Sequence, residues 1–202
     1  TKRGAKTSGA PEPRLVLPAV TRIQYAESCA PPAARLSRKR HKSERYSEHM
    51  PPLDLKKQFA EIYKPSAKAP SIVDVPPLRF LMLDGEGDVG GPTYQDAVQT
   101  LYGLAYPVKF EAKKRLDLIY AVMPLQALYW DPENPDARVT PVDVHALAWR
   151  LMLMLPDPVP AEFVDEVRAK VAAKKSLPRL DDVRVQTFSE GKAVQMLHLG
   201  PY

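Results

Sequence analysis

Twenty-two prolines in 202 residues, about twice the ~5% typical of proteins, cut this chain into short segments. A proline lacks a backbone donor and fixes φ, so it ends helices and is kept out of central strand positions. A chain punctuated in this way must build its fold from short elements. No apolar run approaches the ~18 residues of a membrane-spanning helix. The longest, Leu151-Met152-Leu153-Met154-Leu155, stops at Pro156.

The segments between prolines alternate in character. Apolar positions 55, 59, 62 and 63 follow helical spacing, which predicts a short amphipathic helix over 53–63. Residues 71–75 read as a strand stopped by Pro76-Pro77, and 78–83 as a second strand. The stretch Asp84-Gly85-Glu86-Gly87-Asp88 lacks the Lys-Ser/Thr of a phosphate loop and the ligand spacing of a calcium loop. It reads as a strand-to-helix turn in which Gly supplies positive φ. Pro92 opens a helix to about residue 114, with Pro107 predicting a kink or a break. A strand is expected from 117 to 130, and another from 146 to 155 in hairpin-like relation to it. Residues 160–175 carry acids early and lysines late, as a helix dipole prefers. Residues 183–188 and 193–199 read as a hairpin about the turn 189–192.

Charge divides the chain. Residues 1–49 hold eleven Lys and Arg against four Glu, a balance of +7, whereas the remainder balances to −2. The first part is poor in large apolar residues and reads as a disordered basic leader, or as sequence upstream of a start at Met50. Residues 50–202 form the domain. The basic run within 35–45 gives a weak case for nucleic-acid contact, against the simpler reading of a solvated charge run. With Cys29 alone, no intramolecular disulfide and no thiolate zinc site exists, and a reducing, cytoplasmic setting fits. No metal ligands, cofactor motif or membrane partner are read from the sequence, and the oligomeric state is left open.

Alternation assigns strand faces. Tyr120, Val122, Pro124, Gln126, Leu128 and Trp130 are expected on one face of their strand. Arg150, Met152 and Met154 share one face of the later strand, and Trp149, Leu151 and Leu153 the other. Helices cover one face of such a sheet. The opposite face, aromatic and Met-rich with few polar groups, suits either plain core packing or an adaptable apolar pocket.

The ordered set 54–57 with Tyr63, 70–88, 122–130, Trp149 with Met152, and 194–202 resembles the gyrase-inhibitor-like (GyrI-like) small-molecule-binding family. The resemblance implies an α+β fold: two α/β half-repeats form a curved antiparallel sheet, with helices on one face and a ligand cleft on the other. The stretches 80–85 and 195–200 both run apolar and stop at Gly, so the second half-repeat is expected to be incomplete here. The resemblance also implies binding of hydrophobic, planar, often cationic molecules, or hydrolysis of strained cyclopropane-type rings. Relatives often carry Glu where this chain has Gln126 and Gln186. Glutamine keeps hydrogen bonding but supplies neither negative charge nor a useful proton acceptor.

The candidate ligand-binding set is therefore Tyr120, Gln126, Trp130, Met152, Gln186, His198 and Tyr202. Tyr and Trp stack on planar ligands and attract cations through their ring faces. No catalytic residue is assigned, since no nucleophile and base are spaced to each other, and whether the chain is an enzyme stays open. The expected partner is a hydrophobic small molecule.

Overall fold

The computed structural model of the chain describes residues 52–133 and 146–198. The basic leader and Tyr202 lie outside the described residues.

Asp54 accepts a hydrogen bond from the Lys57 amide at 3.1 Å and so starts the first helix, α1 (Leu55–Gln58). The expected helix over 53–63 is two: Phe59 takes a non-helical backbone (φ −108°, ψ 42°), and α2 (Ala60–Tyr63) follows. After strand β1 (Ser71–Val75), Pro76-Pro77 interrupts the backbone donors, and β2 (Leu78–Glu86) begins. Strand β2 runs three residues past the expected stop at Leu83. Gly85 permits this, because a Cβ there would lie 2.3 Å from the Trp149 ring.

Of the kink or break expected at Pro107, the break does not occur: helix α3 (Pro92–Arg115) is continuous through it. Its buried residues Leu101, Leu104, Ala105 and Val108 hold both halves against the sheet, which offsets the ~3 kcal/mol cost of an interior proline. Strand β3 (Gln126–Trp130) is shorter than expected. Residues 117–125 form no strand beyond a single bridge from Tyr120 to Leu53. Strand β4 (Ala148–Leu155) and helix α4 (Ala161–Ala172) fall where the patterns put them.

The last two strands correct the sequence reading. Strand β5 (Arg184–Phe188) pairs with β2, and β6 (Gly191–Gln195) pairs with β1, so 183–199 is not a hairpin. Leu78 faces Phe188 and Val75 faces Gly191, so equal numbers of residues separate the two ladders on each side. One long antiparallel ribbon thus bends where Pro76-Pro77 meets Ser189-Glu190. Gly191, at φ 69°, supplies the left-handed backbone that the bend needs.

The fold is α+β. An antiparallel sheet of order β3-β4-β2-β5 carries α3 and α4 on one face, and β1-β6 forms a separate two-stranded arm. Two apolar clusters result. The helix side gathers Leu81, Leu83, Trp149, Leu151 and Leu153 beneath α3 and α4. The other side gathers Phe80, Met82, Met152 and Met154 beneath Leu55, Ile62 and Tyr63, with Val73 and Val75 from the arm. Burying each such side chain contributes about 1.5–3 kcal/mol. Among the described residues no helix is long and apolar enough to cross a membrane.

Candidate functional site

The strand registers lay out the sheet face turned away from α3 and α4. Gln126 stands beside Met152, and Met152 beside Met82, which in turn neighbours Arg184. Leu128, Arg150 and Asp84 form the next row, and Trp130, Ala148 and Glu86 the last. Even-numbered residues of β2, β3 and β4 share this face because strand side chains alternate.

One half of the face is closed by the protein itself. Met152 and Gln126 are each 2% exposed. The Gln126 amide donates to the Tyr63 hydroxyl, and that hydroxyl donates to the Met154 sulfur at 3.5 Å. A buried amide is costly unless its polar atoms are served, and the Tyr63 hydroxyl serves Gln126 here.

The other half is charged and partly exposed, with Leu128 and Ala148 buried beneath it and Glu86 at the surface. Arg150 grips the Asp84 carboxylate with two bonds, from Nε at 2.7 Å and Nη2 at 2.9 Å. Arg184 adds a third from Nη2 at 2.7 Å, and its Nε donates to Gln186 at 2.9 Å. Arg179 donates to the Asp84 backbone carbonyl at 2.8 Å. Partial burial alone would push the Asp84 carboxyl up. The two guanidiniums outweigh that and hold it below the usual carboxylate range. Asp84 is therefore an organised anion whose charge is already matched, not a proton acceptor. Glu86 is exposed on the same face, and it and Trp130, which is half-buried, flank the small residue Ala148.

Of the seven residues proposed from sequence, the six that fall within the described residues do not all come together. Gln126, Met152 and Trp130 share the face as expected, and Gln186 sits at its β5 edge. Tyr120 does not join them. Residues 117–125 leave the strand conformation, alternation no longer applies, and Tyr120 enters the helix-side core at 4% exposure. Its hydroxyl is buried with no hydrogen-bond partner among the described residues, and burial pushes its pKa up. His198 is exposed and lines a different hollow, about 370 Å³, with Ala67, Met196 and Leu197. That hollow shares no residue with the sheet face. Among the described residues no three His, Cys, Asp or Glu side chains gather to hold a metal.

Sequence reasoning missed Tyr63, Asp84 and Arg184 as parts of this face. One signal was available: Arg150 sits on an otherwise apolar strand, and a guanidinium so placed needs a carboxylate opposite.

No protein-family model and no curated protein sequence matches the chain. Solved structures do. The crystal structure of an uncharacterized conserved protein from Listeria innocua aligns with a TM-score of 0.66 and 35% identity, covering 74% of this chain and 73% of that one. A hydrolase from Listeria innocua aligns at 0.63 and 35%, over 74% and 72% of the two chains. A further Listeria innocua structure, also named a hydrolase, gives 0.65 and 35% over 75% and 74%. Agreement in sequence and in backbone over nearly three quarters of both partners is a family relationship, and the chain belongs to the family of these Listeria innocua proteins.

Proposed function

We propose that the protein is a GyrI-like binder of hydrophobic, planar small molecules, which it takes on the open half of the sheet face. The observation that carries this reading is the position of Trp130. It stays half-buried at the margin of a face whose other half is filled by Tyr63, Ile62 and Leu55. A flat ligand stacks on the exposed part of the indole, with Glu86 and Arg150 at its edge. Because two arginines already match the Asp84 charge, Glu86 is the acidic group that this edge offers to a cationic ligand.

Titration of the full chain with rhodamine 6G, followed by dye fluorescence, tests the proposal. Saturable binding is expected. Trp130→Ala is expected to weaken it about two- to tenfold, matching the ~0.5–1.5 kcal/mol of an aromatic contact. Binding that is untouched by this change sinks the assigned site.

The name hydrolase on two relatives favours a second reading, in which the same face opens a strained, cyclopropane-type ring by adding water. Gln126 and Asp84 are poor proton acceptors here, the first by chemistry and the second by its arginines. Glu86 is the carboxylate on this face left to activate water. Turnover of a cyclopropane-bearing compound that disappears in Glu86→Gln supports this reading, and turnover unchanged in that variant removes it.

A further inference from the structure

Residues 53–63 form a strap over the filled half of the sheet face. The strap's buried side chains are Leu55, Ile62 and Tyr63. Its two helices are one turn each, parted at Phe59, and helices so short have no stability of their own. They keep their shape through the floor beneath them. That floor includes Met82, Met152 and Met154, flexible side chains that repack around different shapes. One end of the strap is fixed where the Leu53 amide donates to the Ile119 carbonyl at 2.7 Å. The other end runs into residues 64–70, which contain Pro65 and Pro70 and form neither helix nor strand. An exposed bond from the Gln195 amide to the Glu61 carbonyl ties the strap to β6.

Strap and floor meet in a polar pair. The Gln126 amide donates to the Tyr63 hydroxyl, which donates to the Met154 sulfur. Packing alone does not call for this pair, since an apolar pair of the same shape would be about as stable. The covered floor is continuous with the proposed ligand site. Gln126, Leu128 and Trp130 share one face of β3, and Trp130 packs against the same apolar cluster as the strap. We infer that the strap is a displaceable lid, and that Tyr63 holds at Gln126 the place of an oxygen acceptor carried by the ligand. This inference rests on the proposed binding function and adds a ligand class to it: a flat ring for Trp130, joined to a second ring that bears a carbonyl or ether oxygen. Gln126 and Trp130 are four residues apart, about 13 Å along a strand, so the ligand spans two ring systems. The closed strap competes with that second ring. Such a ligand binds only the released state, and its apparent affinity is reduced by the fraction of molecules in that state. Loosening the strap therefore strengthens binding while it weakens the fold.

Two dyes separate these parts. Rhodamine 6G carries a second ring with an ester carbonyl, and pyronin Y is a comparable flat cation without that ring. Dye fluorescence with the full chain reads the binding of both. Tyr63→Phe is expected to tighten rhodamine 6G about two- to tenfold while it lowers the urea midpoint of unfolding. Pyronin Y is expected to bind wild type and variant equally. Saturating rhodamine 6G is expected to speed amide hydrogen exchange in 55–63, whereas a ligand resting against a closed strap slows it or leaves it unchanged. The lid is overturned if Tyr63→Phe weakens rhodamine 6G or leaves it unchanged, if it tightens both dyes alike, or if bound dye does not speed exchange in 55–63. Where one of these results comes with a loss of both dyes in Trp130→Ala, the lid fails and the proposed site stands. If neither dye saturates the wild-type chain, site and lid fail together.

Discussion

The two faces of the central sheet are built to different standards. The helix side is aliphatic and aromatic throughout, and a 24-residue helix and a 12-residue helix cover it. The other side is rich in methionine, holds a polar pair in its interior, and is covered by two four-residue helices and a two-stranded arm. Long helices bring many contacts for each residue ordered. Short ones bring few and open at lower free-energy cost. The thinly covered, sulfur-rich face is therefore expected to be the more adaptable of the two.

Neighbouring residues on one strand test this contrast most severely. Leu153 faces the helices and Met154 faces α2. Leu153→Ala is expected to cost about 2–5 kcal/mol, because a rigid wall cannot close the cavity. Met154→Ala is expected to fall at or below the lower end of that range, since Tyr63 and Ile62 can settle into the space. Urea unfolding of the two variants measures both. Equal losses would mean that the two faces are equally rigid.

A smaller effect is expected at the polar pair. Tyr63→Phe removes the hydroxyl that accepts from the Gln126 amide and donates to the Met154 sulfur, for about 0.5–1.5 kcal/mol. The sharper readout is local. Amide hydrogen exchange is expected to speed up in 55–63 well before it does in α3. Uniform acceleration across both elements would show that the short helices are not a separate unit.

The faces of β4 were legible from sequence because period-two alternation is a local property, and Trp149, Leu151 and Leu153 separate cleanly from Arg150, Met152 and Met154. The partner of β6 was not. A turn signal at 189–192 suggests a hairpin, and nothing nearby reports that Pro76-Pro77 waits opposite to extend the ribbon instead. The candidate site divides in the same way. Gln126, Met152 and Trp130 were placed on one face by alternation, but the Tyr63 that closes half of it comes from 63 residues away. Tyr120 was misplaced because alternation was carried across residues that do not form a strand.

The smallest expected effect is electrostatic and belongs to the open half of the second face. Asp84 has its pKa lowered by Arg150 and Arg184. A carboxyl with a depressed folded pKa stabilises the protein above its unfolded value, near 3.9, and that stability is lost as pH falls through the lower folded value. The side chain is 39% exposed, so solvent screening keeps the contribution modest. Wild type should therefore lose stability between about pH 4 and the more acid folded value, and Asp84→Asn should flatten that part of the curve. The variant also leaves two guanidiniums facing each other without their anion. At neutral pH it should be slightly less stable than wild type and should show a stronger dependence on salt. If unfolding curves from pH 2 to 7 superpose for the two proteins after a constant offset, the arginines do not tune this carboxyl, and the open half of the face is organised by packing alone.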